Sequence, residues 1–320
     1  MMKRRSRMMI SSREAGARLG DFLVGRFSYL DRDAWMEEIA RARVLVNGQP
    51  ISVDALLQSG DCLEYLPRDV PEPRVNDAYE VLFEDEALLV VNKPGNLPCH
   101  PGGRYFHHTL WARIRSRSFG DGPFFVHRID RETSGIVVTA KNSRDASVLG
   151  REMASGQVRK RYVTLVEGRF PQGIVTAEGW LDQDRASAIR KKMRFMPLAS
   201  ASGASAKGKY CRTRFDIIRR GSLLSLVSAI PGTGRRHQIR ATLLALGYPV
   251  VGDKIYGTDE TFFVRFIEDR LTESDWVRLR LDRQALHAAE IAFRHPRSGR
   301  LLCFEAPVPE AFQRLVEDPP

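Results

Sequence analysis

Three prolines within seven residues, Pro67-Arg68-Asp69-Val70-Pro71-Glu72-Pro73, divide this chain into two stretches of different texture. Proline lacks a backbone N–H and fixes its own φ, so neither a helix nor a central strand runs through such a segment. Before it, Arg18 to Phe27 and Asp31 to Arg41 read as two short helices with apolar faces. Val44 to Ile51 reads as a hairpin, because Asn47-Gly48 suits a tight turn with positive backbone angles. A turn at Gly60-Asp61 leads into a strand from Cys62 to Leu66.

Beyond the prolines, strands are expected at Glu80–Phe83, Leu88–Asn92, Gly135–Ala140, Tyr162–Val166, Leu223–Ile230 and Leu301–Glu305. Helices are expected at Thr109–Ser116, Ser143–Ser155, His237–Leu246 and Glu260–Asp269. Short turns join strands as often as helices do, which is not the regular alternation of a doubly wound sheet. The expected class is α+β: a mixed, largely antiparallel sheet domain over residues 81–320, after a small α+β module over 1–70 and a linker over 71–80.

The 320 residues are enough to bury a core. A net charge of +11 favours a polyanionic partner, and nucleic acid is the commonest. The four cysteines, Cys62, Cys99, Cys211 and Cys303, form no CxxC pair, which excludes a standard zinc cage and argues against a disulfide framework. No apolar run approaches the roughly 20 residues of a membrane span. The basic start, Met1 to Ile10, lacks the apolar stretch of a secretory signal, so the cytoplasm is the expected compartment.

Two polar clusters could carry chemistry. His127-Arg128-Ile129-Asp130-Arg131-Glu132-Thr133-Ser134-Gly135 lies between the apolar runs Phe124-Phe125-Val126 and Ile136-Val137-Val138. A loop crowded with ionisable groups and held between buried strands is a usual place for catalysis. Arg128 and Arg131 flank Asp130, and nearby cations favour its carboxylate form. The second cluster, Gly232-Thr233-Gly234-Arg235-Arg236-His237-Gln238-Ile239-Arg240, opens a helix that stops at Gly247 and makes a cationic wall suited to phosphate or a base edge. It has neither the lysine of a phosphate loop nor the third glycine of a dinucleotide fingerprint. The run Arg190-Lys191-Lys192 reads as a solvated loop.

The first cluster resembles the signature of the RluA-type pseudouridine synthases. The resemblance continues through Val90-Val91-Asn92-Lys93-Pro94, Lys160-Arg161-Tyr162, Thr233 to Arg240, Gly252-Asp253-Lys254-Ile255-Tyr256-Gly257, Leu286-His287-Ala288 and His295-Pro296, in the family order. Arg18-Leu19, Val46-Asn47-Gly48 and Gly60-Asp61 resemble the small ribosomal-protein-like RNA-binding module that often precedes this catalytic domain. Two positions depart: Gly95-Asn96 stands where the family usually has Ala-Gly, and Thr242 where many members have histidine.

The resemblance implies an RNA pseudouridine synthase, an isomerase that needs neither metal nor cofactor. Asp130 would be the catalytic carboxylate, Tyr162 would pack on the target base and assist proton removal, and Arg240 would pair with Asp130. Arg128 would fill the gap left by a flipped nucleotide, with His127, Arg131, Lys93, Arg235, His237 and Gln238 as further RNA contacts. The expected partner is RNA, ribosomal in the first place and transfer RNA as the alternative, bound by a monomer.

Overall fold

The computed structural model describes residues 5–27, 30–68, 71–117, 122–198 and 208–317. Asp69 and Val70 of the proline-rich segment and the first four residues of the basic start lie outside that set. The chain divides into two compact units, Met1–Pro73 with Gly102–Phe106, and Arg74–Pro101 with His107–Pro320.

In the first unit, β1 (Ser6–Met9) precedes helices α1 (Leu19–Arg26) and α2 (Arg32–Ala40), then β2 (Val44–Val46), β3 (Gln49–Pro50) and β4 (Cys62–Tyr65). The strands form one sheet in the order β1-β4-β2-β3. Asn47 and Gly48 have φ of 53° and 80°, the pair of positive angles that an Asn-Gly turn supplies. The helices bury Leu19, Leu23 and Trp35 against Val44, Leu57 and Leu63. Trp35 donates its indole N–H to the Phe27 carbonyl at 3.1 Å, so burial leaves its polar tip satisfied. Strand β1 was not anticipated: Ser-Arg-Met-Met carries little strand signal, and it is held by its register with β4.

In the second unit the elements run β5 (Glu80–Glu84), β6 (Leu88–Lys93), α3 (Leu110–Arg115), β7 (Phe124–Phe125), β8 (Ser134–Ala140), α4 (Ser143–Ala154), β9 (Arg159–Glu167), β10 (Val175–Gln183), β11 (Met193–Pro197), β12 (Lys209–Arg220) and β13 (Leu224–Pro231). They continue with α5 (Gln238–Ala245), α6 (Thr261–Ile267), α7 (Glu273–Leu279), β14 (Leu286–Arg294), β15 (Leu301–Glu305) and α8 (Glu310–Glu317). The sheet order is β11-β10-β12-β13-β9-β14-β8-β6-β5, with β15 on β14 and β7 on β8. Every described pairing is antiparallel except β14 with β8. The expected strands and helices of this unit are present; β10, β11, β12, β14, α7 and α8 were not foreseen. Among the described residues no helix is long and apolar enough to cross a membrane.

The parallel junction positions the first polar cluster. It rests on two residue pairs, His287 with Ser134 and Ala288 with Gly135. Gly135 has φ of 109°, and a Cβ there would lie 2.2 Å from the Ala288 carbonyl oxygen. Only glycine lets the two backbones approach this closely and takes this angle without strain. Ser134 and His287 are buried and bond through Oγ and Nδ1 at 2.9 Å. The loop before β8 is therefore clamped to a strand through a residue 153 positions downstream.

Gly135→Ala combines a strained backbone angle with a backbone clash, so it should destabilise the protein by about 2–5 kcal/mol. Urea unfolding monitored by tryptophan fluorescence measures this; a midpoint within error of wild type would contradict the account of the junction.

Candidate active site

The two polar clusters meet. The loop before β8, the start of β9 and the turn from β13 into α5 enclose a cavity of about 380 Å³, within the size range of small-molecule sites. Its lining includes Arg128, Asp130, Lys160, Tyr162, Arg235, His237 and Arg240. Asp130 is the one carboxylate among the described lining residues. Lys160 and Tyr162 share a sheet face because side chains two apart on a strand point the same way.

Arg240, His237 and Gln284 all act on the Asp130 carboxylate. Its Oδ2 accepts a hydrogen bond from Arg240 Nη1 at 2.7 Å, while Oδ1 lies 3.7 Å from His237 Nε2. Burial alone would raise the Asp130 pKa; Arg240, supported by His237, outweighs it and holds the carboxyl down at about 2. Arg240 is fixed in turn by Asp253, whose two oxygens take its Nε and Nη2 at 2.6 and 2.8 Å. Asp253 has no exposed surface and also accepts the amide N–H groups of Ile255 and Tyr256, each at 2.9 Å. Every polar atom of this buried acid is thus engaged, the condition under which burying an ion pair is tolerable.

Tyr162 lies half-buried beside Asp130. Burial, then the Asp130 and Cys99 charges, push its hydroxyl pKa well above normal, so it is a neutral phenol at physiological pH. His237 starts α5 in the left-handed region with φ of 56°, and burial lowers its pKa to about 4. Arg128 is exposed at the cavity. Arg235 is also exposed there and donates Nε to the Tyr210 carbonyl at 3.3 Å.

Four expected RNA contacts are placed differently. Lys93 is 0% exposed, and its ammonium donates to the carbonyls of Pro94 and Arg131 at 2.7 and 3.2 Å. It ties β6 to the Asp130 loop and cannot reach a phosphate. His127 accepts the Val138 N–H through Nε2 at 3.2 Å, and burial lowers its pKa to about 3, so it carries no cation to offer RNA. Gln238 is buried with its amide fully used: Oε1 accepts from Thr233 Oγ1 and the Arg235 N–H, and Nε2 donates to the Arg212 carbonyl and Thr213 Oγ1. It braces the cavity wall. Arg131 is not among the cavity's lining residues; it pairs with Glu132 at 2.8 Å and lies over the Phe266 ring.

Sequence reasoning also passed over several residues that shape the site. Asp253 stood in a quoted motif, but an acid after glycine reads as an ordinary turn. Lys160 was open to the alternation argument, two residues before Tyr162. Buried Lys254 reaches both Glu132 oxygens at 3.3 and 3.2 Å and the Asp282 carbonyl at 2.6 Å, and no local pattern announces that. The Gly95-Asn96 departure has a physical reason. A Cβ at residue 95 would lie 2.3 Å from Arg283 Cδ, and Arg283 crosses there to the Glu132 carbonyl at 3.3 Å. Asn96 then takes the left-handed position, φ 57°, that asparagine tolerates. Thr242 is buried with its Oγ1 unpartnered among the described residues.

Comparison with known proteins settles the family. A sequence model described as RNA pseudouridylate synthase matches residues 87–245. An uncharacterized RNA pseudouridine synthase of Chlorobaculum parvum is 30% identical over 320 residues, covering 96% of this chain and 95% of its own. The chain belongs to the RNA pseudouridine synthases. It is 30% identical over 274 residues to ribosomal large subunit pseudouridine synthase D of Zymomonas mobilis, covering 82% of this chain and 80% of that one. The solved structure of human RNA pseudouridylate synthase domain containing 1 superposes with a TM-score of 0.57 at 25% identity, over 74% of this chain and 86% of that one. The protein is therefore an isomerase that converts uridine in RNA to pseudouridine. Both sequence clusters and Tyr162 fall inside the matched region, whereas Asp253 and the β14 junction lie beyond it. Among the described residues no group of three or more His, Cys, Asp or Glu could hold a metal ion.

Two outcomes follow from the charge arrangement. Arg240→Met leaves buried Asp253 without its cation and should cost about 3–5 kcal/mol in urea unfolding. The Asp130 pKa is depressed in the folded state from 3.8 to about 2, so its stabilising contribution is complete above about 4 and lost as pH falls towards 2. Asp130→Asn should thus flatten the acid limb of stability across that window, as thermal melts at stepped pH would record; an unchanged limb would contradict the pairing.

Proposed function

We propose that this enzyme isomerises uridines of large-subunit ribosomal RNA, with Asp130 as the catalytic carboxylate. The reading rests above all on one observation: a single carboxylate lines the cavity among the described residues, kept ionised by Arg240, with one oxygen turned away from that arginine. The reaction breaks the bond from ribose C1′ to N1, turns the uracil, and joins C1′ to C5; the C5 proton leaves and N1 gains one. An ionised carboxylate acting at the ribose suits the first step. Tyr162, a neutral phenol, packs on the base and offers its hydroxyl as a hydrogen-bonding partner during proton removal.

The target base must leave a stacked strand to reach the cavity, at a cost of a few kcal/mol, roughly, per flipped base. Arg128 is exposed at the mouth, and its planar guanidinium can stack where the base was. Arg235 and Lys160 add cationic reach for the flanking backbone. The amino-terminal unit is read as a second RNA-binding element. Ribosomal RNA is favoured because a relative matched over four-fifths of its length is named for the ribosomal large subunit, and it would place the enzyme in the cytoplasm.

Asp130→Asn keeps the size and removes the charge. It should abolish pseudouridine formation while RNA affinity stays within about threefold, the pattern of a group acting in the transition state; product from the pure variant would refute the assignment. Removing residues 1–70 should weaken RNA binding and flatten its salt dependence, since phosphate contacts are lost. Gene deletion followed by single-nucleotide mapping of pseudouridine should erase sites in large-subunit ribosomal RNA. Loss confined to transfer RNA would overturn the substrate and leave the enzyme class standing.

A further inference from the structure

We infer that Tyr256 is a positioning residue for the reaction: its hydroxyl fixes His237 as the tautomer that presents an Nε2–H to the cavity, and its ring backs Arg240. One side chain thereby orders both groups that flank Asp130. The inference rests on the reading of Asp130 as the catalytic carboxylate.

Tyr256 closes the turn after Asp253 and has no exposed surface, so it cannot touch RNA itself. Its hydroxyl has two partners, the Met193 amide nitrogen at 2.7 Å and His237 Nδ1 at 2.9 Å. The amide can only donate, so the hydroxyl oxygen accepts there. The hydroxyl proton then has His237 Nδ1 as its acceptor. Were Nδ1 protonated instead, the tyrosine proton would be buried without an acceptor, which folded proteins avoid. Nδ1 therefore carries the lone pair, and the proton of the neutral ring sits on Nε2.

His237 is neutral at working pH. Burial lowers its pKa to about 4; Asp130 and Asp253 raise it, and Arg240 and Arg236 lower it further. Its Nε2 lies 3.7 Å from Asp130 Oδ1, too far for a hydrogen bond in the free enzyme. A ribose hydroxyl or uracil carbonyl oxygen seated beside Asp130 can take that N–H. The other tautomer would aim a lone pair at the Asp130 carboxylate and leave the uridine without this donor. The Tyr256 ring meets the imidazole edge-on, at 84° with centroids 5.5 Å apart, and the Arg240 guanidinium lies 4.8 Å from the same ring's centroid. The Met193 amide fixes the hydroxyl from the first residue of β11, so the chain of bonds is anchored in the sheet.

Tyr256→Phe removes the hydroxyl alone and retains the ring. It should lower kcat by about 10- to 100-fold and leave KM for RNA within about twofold, because orientation is lost and binding is not. Tyr256→Leu, which also removes the ring, should fall further. His237→Ala with Tyr256→Phe should be no slower than His237→Ala alone within about twofold, since the hydroxyl acts through the imidazole. Nitrogen-15 spectra of the wild-type ring should show a protonated Nε2 and a bare Nδ1, a readout that needs no variant to fold; Tyr256→Phe should give mixed tautomers. A folded Tyr256→Phe enzyme with wild-type kcat, multiplying losses in the double variant, or a protonated Nδ1 in the wild type would each overturn the inference. An inactive Asp130→Asn beside a fully active Tyr256→Phe would sink this inference alone; an active Asp130→Asn would sink the reading beneath it.

Discussion

Arg240 sits between two carboxylates, and the site is organised by the difference between them. Asp253 takes two of its nitrogens in a bidentate pair with no exposed surface; Asp130 takes a third at the cavity edge. The inner pair fixes the guanidinium plane, and the outer bond extends from it. An arginine suits this place because its planar fork can serve both acids at once, where a lysine ammonium would offer a point charge without a defined direction. Asp130 is thus kept ionised by a cation whose own position it does not determine.

The sheet sets the rest of the geometry. The Asp130 loop precedes β8, Tyr162 and Lys160 stand on β9, and the cationic wall leaves β13 for α5. Strand β14 lies between β9 and β8 and joins them. It closes on β8 through Ala288 and Gly135, where a side chain at residue 135 would meet the Ala288 backbone. Lys93, Lys254 and Arg283 then reach the same loop from three directions, each through a carbonyl or carboxylate of residues 131 and 132. Their charges are taken up by that loop, by backbone carbonyls for Lys93 and Arg283 and by the Glu132 carboxylate for Lys254.

Part of this was legible in the sequence. Leu88–Asn92 and Gly135–Ala140 are continuous apolar runs between turn residues, and they became central strands. Strand β14 was hidden because Ala288, Ala289 and Ala292 have high helix propensity and little strand signal. In β12 the buried Cys211, Thr213 and Phe215 alternate with exposed Tyr210, Arg212 and Arg214, but two of the three inward residues are only weakly apolar. The start of α7 did carry a local signal, since Thr272 and Asp275 form a capping box. At the site, motif order brought Asp130, Tyr162 and Arg240 to one cavity. It could not tell which neighbouring polar groups face inward. Lys93, His127 and Gln238 have the chemistry of RNA ligands, and only tertiary packing turns them towards the protein's own backbone.

The nine-residue signature has a consequence for how the molecule comes into being. Asp130 waits for a cation 110 residues later in the chain, and Ser134 for an imidazole 153 residues later. Contacts so distant in sequence form late in folding, because the loop they close must first be ordered. A growing chain that has emerged through α5 would carry every group proposed for chemistry, yet lack Asp253 to set Arg240 and β14 to seat the loop. Such a partial chain would therefore lack two of the supports that set the geometry of the site. A chain truncated before β14 would hold the signature intact and lack the strand that seats its loop.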